Sequence, residues 1–344
     1  MNKNMNKVKE PLNDTQLLMT ITISIFVVMY LLATVLLQGG FLHAQQILDM
    51  LNDNASLIIV SCGLTIVMIG GGIDISVGAV TSLVVMSCVL FVNKGGNPYM
   101  AILLALGIGL AFGAVHGFLI SYLDIQPFIV TLAGMFFARG MTTILSVEPQ
   151  KLDEEVFNGI HTSIKSDLLG YRAKNGNVIP ANMEMGVVIA AVCVILIFVL
   201  LKYCRLGRNF YAIGGNQQSA LMLGINVKRT RFMTYLISGL LSGISGYVLM
   251  MHIGAGNATN AAGMEMNAIA SAIIGGTLLT GGVGNILGTV FGVLTLTTIK
   301  KIVVTSGLNQ PYWQSITTGG MLCFFILLQS VVLGKRQKKK KESQ

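Results

Sequence analysis

Charge is scarce in this chain: 11 % of its 344 residues are Asp, Glu, Lys or Arg, against 53 % hydrophobic. A soluble domain carries about a quarter charged residues, so a globular surface of this size could not be wetted. Cysteine is sparse too. The five, at 62, 88, 193, 204 and 323, fall mostly in apolar runs and form no C-x-x-C pair, which argues against a disulfide or zinc framework. A single Trp accompanies the net charge of +9, so a base-stacking surface is unsupported and no nucleic-acid partner is expected. The signatures of catalysis are missing. There is no GxxxxGK(S/T), no HExxH and no GxSxG, and Leu287 interrupts the only glycine run resembling GxGxxG. No enzyme, metal site or cofactor is therefore expected of the chain itself.

What is present is long apolar runs. Leu17 to Leu37 carries no charge over 21 residues, enough to cross about 30 Å of hydrocarbon. Further runs cover roughly 55–71, 75–93, 99–122, 127–147, 185–203, 233–251, 267–280, 284–305 and 316–334. They are continuously apolar rather than alternating, which predicts helices and not a β-barrel. The expected fold is all-α: a polytopic membrane protein of about ten transmembrane helices.

The basic residues orient it. Three Lys precede Pro11, six Lys or Arg lie from Lys202 to Arg231, and six lie in the last ten residues. The positive-inside rule puts all three clusters in the cytoplasm, and both ends inside demand an even number of crossings. The expected division is a cytoplasmic tail at 1–16, a transmembrane domain at 17–334 and a basic cytoplasmic tail at 335–344. Within the domain, the loop 148–184, with six acidic and four basic residues, falls outside, and the loop 204–231 falls inside. Lys300 and Lys301 dissent, landing near the outer end of a span.

Glycine is abundant, with 40 residues and no G-x-y period. Gly109, Gly113 and Gly117 form one four-residue ladder, and Gly284, Gly288 and Gly292 another; each clears a helix face for close packing. Glycine also interrupts an apolar stretch in each half, at 70–78 and 275–284. The two halves are compatible with an inverted repeat of five helices, and also with the general glycine richness of membrane helices.

Few polar residues lie inside the spans. Asp74 stands in Gly71-Gly72-Ile73-Asp74-Ile75-Ser76-Val77-Gly78. A carboxylate at the bilayer centre costs roughly 2.5–3.5 kcal/mol, so it needs water, a helix N-terminus or a partner. A broken helix lining the path, or a cap that starts a span at Ser76, both satisfy this. Arg139 has two readings, a pair with Asp74 or a guanidinium reaching the outer interface. His116, inside the first ladder, is either a sugar ligand or a structural hydrogen-bonding group. Tyr312 and Trp313 are read as an interfacial anchor or a stacking platform. In the loop, Asn216 is a plausible N-cap and Gly224 a stop for a short exposed helix. One intramembrane carboxylate is few for an ion-coupled secondary transporter, the alternative reading, and tilts the expectation toward energy from another subunit.

The residues carry a resemblance. Gly71 to Gly78, Pro127-Phe128-Ile129-Val130-Thr131-Leu132-Ala133-Gly134, Ala212-Ile213-Gly214-Gly215-Asn216, and Ile274-Gly275-Gly276-Thr277 with Gly281-Gly282-Val283-Gly284 resemble the permease subunits of bacterial ribose/xylose-class ABC sugar importers. The resemblance covers roughly 17–333. Leu132 to Gly140 and Tyr312-Trp313 look most similar to the galactofuranose-type branch. It implies a pore-forming subunit in a bacterial plasma (inner) membrane that carries a monosaccharide. The implied partners are an ATP-binding subunit that uses the nucleotide, an extracellular or periplasmic sugar-binding protein, and a second copy or related permease. Gly214, Gly215, Asn216, Gln217, Leu221 and Gly224 would couple to the ATPase; Gly71, Gly72, Asp74 and Ser76 would belong to the broken-helix motif, with His116 and Arg139 as further path candidates. Two departures bear on substrate: His116 stands where ribose-type relatives carry Asn, and Gln126 precedes Pro127.

Overall fold

The computed structural model describes residues 14–36, 44–161, 163–172, 178–308 and 310–342. The tail residues 1–13, with Lys3, Lys7 and Lys9, lie outside them, as do 343–344. The chain runs α1 (Asp14–Leu36), α2 (Ala44–Ile69), α3 (Val77–Asn93), α4 (Ala101–Ser121) and α5 (Pro127–Leu145). After β1 (Gln150–Lys151), α6 (Glu154–Ile160), β2 (Ser163–Arg172) and β3 (Val178–Glu184) come α7 (Met185–Tyr203), α8 (Arg205–Gly215) and α9 (Gln217–Met222). Then follow α10 (Val227–Ile253), β4 (Ala255–Gly256), α11 (Met264–Ile274), α12 (Ile286–Thr305) and α13 (Pro311–Glu342).

Among the described residues, eight helices are long and apolar enough to span a membrane, and α3 and α11 are shorter apolar helices. These ten match the ten apolar runs, with shifted ends. Residues 267–280 are not one span: α11 stops at Ile274, where Gly276 turns the chain at φ +90° and the cap bonds close the last turn. The basic segment 335–342 continues α13 as helix.

Local chemistry sets the helix ends. Asn216, Asn226 and Asn285 each cap a helix, accepting from the backbone N–H of Ser219, Arg229 and Leu287. α2 and α11 end alike. Gly71 and Gly276 have φ of +79° and +90°. Gly71 N donates to Met68 O and Gly72 N to Val67 O; Gly276 N donates to Ile273 O and Thr277 N to Ala272 O. This is the same Schellman cap twice.

Two faces of the bundle follow from the contacts. On the hairpin face, β2 and β3 pair antiparallel, β1 pairs with β4, and Asn93 donates to Lys151 O. On the opposite, glycine face lie 70–72, 122–126, 204–226 and 275–285; Lys228 pairs with Asp124 at 3.7 Å and Gly282 N donates to Ile69 O. Thr22 on α1 and Gln329 on α13 donate to the carbonyls of Ile274 and Ile273, so the start of α1 and the end of α13 lie toward the glycine face. Lys301 pairs with Asp53 at 3.7 Å, and Lys300 donates to Asn267, so neither dissenting lysine is bare in lipid.

α2 is the central helix, 89 % of its most apolar window being buried, against 17 % for α1 and α13. α10 crosses it and packs still more extensively on α4. The ladders make this possible. A Cβ at Gly109 would meet the Gly239 carbonyl, one at Gly113 would lie 2.6 Å from Tyr235 O, and one at Gly117 would lie 2.9 Å from Phe232 O. Gly288 and Gly292 likewise press α12 on Gly275, just past the end of α11, and on Ser271 of α11, and Gly284 sits against Ile69 and Thr277.

The repeat visible in the structure has four helices, not five. α2 to α5 measure 26, 17, 21 and 19 residues, and α10 to α13 measure 27, 11, 20 and 32. Each set runs long, short, long, then Pro-started, in opposite directions. The leading helices break the correspondence, since α1 packs on α12 while α7 packs on α2. The ladders do not mark it either: both lie toward the glycine face, where inversion would send one to the hairpin face.

Candidate coupling and translocation site

Asp74 lies in the non-helical link between α2 and α3 and is 3 % exposed. Its Oδ1 accepts from the Ser76 N–H at 3.0 Å and the Ser76 hydroxyl at 2.6 Å; its Oδ2 accepts from Ser238 Oγ on α10 at 3.0 Å. Three donors replace the water that an ionised carboxylate loses on burial. The first turn of α3 supplies no further N–H, so two serine hydroxyls do what the sequence assigned to a helix N-terminus. The Ser76 proton goes to Asp74, so its oxygen accepts from His116 Nδ1 at 3.4 Å, which fixes the Nδ1–H tautomer. His116 is buried, its ring meets the edge of Phe112, and its Nε2 lies where a Cβ on Gly134 would go. α2, α3, α4 and α10 are thereby tied at one buried point.

Arg139 is not part of that network, and the pair with Asp74 does not form. Its guanidinium donates to the carbonyls of Ala258, Asn260 and Ala261 and stands 4.0 Å from Glu265. It clamps the segment that links β4 to α11. Tyr312 and Trp313 pack on each other at the hairpin-face start of α13, with Tyr312 exposed.

At the glycine face, α8 buries Gly207, Phe210 and Ile213 and delivers Gly214 to both broken helices. A Cβ on Gly214 would strike the Ile69 carbonyl and come within 2.6 Å of Gly282 N. A Cβ on Gly281 would come within 2.9 Å of Gly71 Cα, and one on Gly282 within 2.7 Å of Gly215 Cα. Backbone thus meets backbone at one point, where α8 touches the ends of α2 and the 275–285 link. Gly215 itself faces open space. Tyr211 donates to Gly284 O at 2.9 Å, and burial pushes its phenol up to about 12.

Beyond this contact α9 seats Ala220 against Ile213 and Val227 and projects its other face outward. Asn216 caps it, Gln217 accepts from Arg231 at 2.6 Å, and Gly224 turns the chain at φ +77°. Leu221, Met222 and Leu223 are 60 %, 88 % and 79 % exposed, an apolar tip on a polar surface.

Sequence reasoning missed Ser238 and Tyr235, whose hydroxyl reaches Ile73 O at 3.4 Å. The signal was there: Ser238-Gly239, Ser242-Gly243 and Ser245-Gly246 recur at helical spacing along α10. α8 was missed because its arginines disguise an amphipathic helix as a basic loop.

Eight helices long and apolar enough to span a membrane, with two glycine links meeting under a surface helix, define a polytopic membrane protein. The chain belongs to the family described as branched-chain amino acid transport system / permease component, whose model matches residues 46–326. It is 39 % identical over 310 residues to the inner membrane ABC transporter permease protein YjfF of Escherichia coli, covering 90 % of each chain. It is 34 % identical over 343 residues to the fructose import permease protein FruG of Bifidobacterium longum, covering 95 % of this chain and 96 % of that one. The ribose import permease protein RbsC of Bacillus subtilis is 32 % identical over 293 residues, 85 % of this chain and 87 % of its own. No solved structure matches.

Proposed function

We propose that this chain is the membrane-spanning permease subunit of an ATP-driven monosaccharide importer in a bacterial inner membrane. The observation that carries the reading is the seat of Gly214 on both broken helices, with the apolar tip of α9 projecting just beyond it. A partner that grips α9 and moves it would act through α8 on both halves of the repeat at once. The family description names amino acids, but relatives covering nearly the whole chain are named for fructose, ribose and allose, which supports a sugar.

In this reading the glycine face is cytoplasmic, with both termini and the 202–231 basic cluster, and the hairpin is outside. An ATP-binding subunit docks on α9 and hydrolyses the nucleotide; the permease needs no cofactor or metal. An extracellular or periplasmic sugar-binding protein delivers the substrate to the hairpin face. A second copy or a related permease covers exposed membrane faces of α5 or α13. The galactofuranose-type motifs at 132–140 and 312–313 make furanose sugars the first to test. Transport proceeds by alternating access of the two repeats.

Reconstitution with the ATP-binding and sugar-binding partners tests this. Uptake of ribose, fructose, allose or galactofuranose into liposomes should require ATP and persist when ion gradients are collapsed. Uptake without nucleotide that stops with the gradient would instead establish an ion-coupled secondary transporter.

A further inference from the structure

Lys300 sits on α12 near its hairpin-face end, and the Asp74 network makes no use of it. Its Nζ donates to Asn267 Oδ1 on α11 at 2.7 Å. An ammonium has three donors, and the Asn267 bond occupies one. The acids nearby are engaged elsewhere, Asp53 with Lys301 and Glu265 with Arg139. Lys300 walls a cavity of about 450 Å³ between the hairpin-face ends of α11, α12 and α13, together with Asn267, Gln314, Ser315 and Thr318. A cation inside a spanning helix is costly, and such residues face partners or the paths of solutes.

The repeat supplies a second, independent observation. Lys300 precedes Pro311 by the same 11 residues that separate His116 from Pro127, and Thr318 follows Pro311 by the 7 that separate Gly134 from Pro127. His116 and Gly134 touch, and both line a cavity of about 740 Å³ between α4 and α5, nearer the glycine face. Equivalent positions of an inverted repeat thus wall two cavities nearer opposite faces, which is the geometry alternating access uses. Their linings differ. The glycine-face cavity is apolar apart from His116, whereas the Lys300 cavity offers an ammonium, two amides and two hydroxyls. A volume of this order accommodates a small ligand, and that donor–acceptor set suits a neutral polyhydroxylated one.

We propose that the Lys300 cavity is a binding station for the sugar in transit, where Lys300, Asn267 and Gln314 hold its hydroxyls. The inference rests on the sugar-import reading and adds the residues that recognise the solute on its outer side.

The test reads occupancy rather than import. The full chain is reconstituted in liposomes with its partners, Cys204 and Cys323 replaced by serine and Ser315→Cys introduced; the other three cysteines are buried. A membrane-impermeant maleimide should alkylate Ser315→Cys, which is exposed at the cavity wall, and fructose, ribose or allose at ~10 times its Kd should slow it roughly tenfold. Adding Lys300→Met, or Gln314→Ala if that variant fails to insert, should cancel the protection. Lys301→Met, which alters a lysine outside the cavity, should leave it intact. The proposal is overturned if none of the three sugars protects, if protection survives both substitutions, or if anionic lipid content rather than sugar sets the rate. Failure of the import reading shows separately, as ATP-independent uptake, and does not alter the alkylation result.

Discussion

The two links that interrupt the bundle, 70–76 and 275–285, begin with the same cap and then diverge. At each, an isoleucine ends the helix, a glycine follows, and a second glycine takes positive φ. The first link then carries a charge. Asp74 gathers hydroxyls from Ser76 and Ser238, and the link is held by polar bonds converging from α4 and α10. The second carries none; it is held by backbone contact through Gly275, Gly288 and Gly292. Their last carbonyls also differ in use. Ile69 O accepts from Gly282 N of the other link, whereas Ile274 O accepts from Thr22 of α1. One link is an electrostatic knot and the other a steric one, joined by a single hydrogen bond under α8.

Breaking the steric link should cost most. Gly288→Val drives a side chain into the Gly275 carbonyl, and overpacking against backbone rather than a flexible side chain should cost more than ~3 kcal/mol or prevent folding. The expected readout is a loss of folded protein in detergent, with a lowered Tm for what remains. Unchanged yield and Tm would remove the steric half of the comparison. At the polar link, Asp74→Ala leaves buried hydroxyls without their acceptor and should cost about 2–3 kcal/mol, whereas Asp74→Asn keeps the shape and should cost about half as much. Thermal unfolding of both variants checks the order.

Ser238→Ala removes one of three donors and should cost about 1.5 kcal/mol, seen as a smaller Tm shift. Smallest is Tyr211→Phe, which frees the Gly284 carbonyl for about 1 kcal/mol. Because burial raises the Tyr211 pKa from 10.0 to about 12, its contribution is full below pH 10.0 and is lost as pH rises toward 12. The Tm difference between wild type and Tyr211→Phe should therefore be constant through neutral pH and shrink only in strong alkali.

Much of this molecule was legible in its residues. Ten apolar runs become ten helices because a lipid-exposed span has no alternative to internal hydrogen bonding. The Asn216 cap and the Gly224 stop were local signals, and both fall where they were placed. What stayed hidden depends on contacts distant in the chain. Nothing near Arg139 indicates that it holds carbonyls more than a hundred residues onward. Nothing in Gly214-Gly215 tells which glycine meets backbone and which faces open space. The repeat is hidden for a related reason: it survives in helix length, in a Gln-Pro start and in the placement of His116 and Lys300, not in the ladders that catch the eye.

In the proposed importer, motion of α9 reaches both links through Gly214. The most direct test compares Gly214→Ala with Gly215→Ala in the reconstituted complex, measuring ATP hydrolysis and sugar uptake together. One methyl separates either variant from wild type, but only the first meets the Ile69 carbonyl and Gly282 N. Gly214→Ala should hydrolyse ATP with uptake reduced roughly tenfold or more, a shift of about 1.4 kcal/mol, while Gly215→Ala should transport like wild type. Equal uptake by the two variants would contradict this coupling.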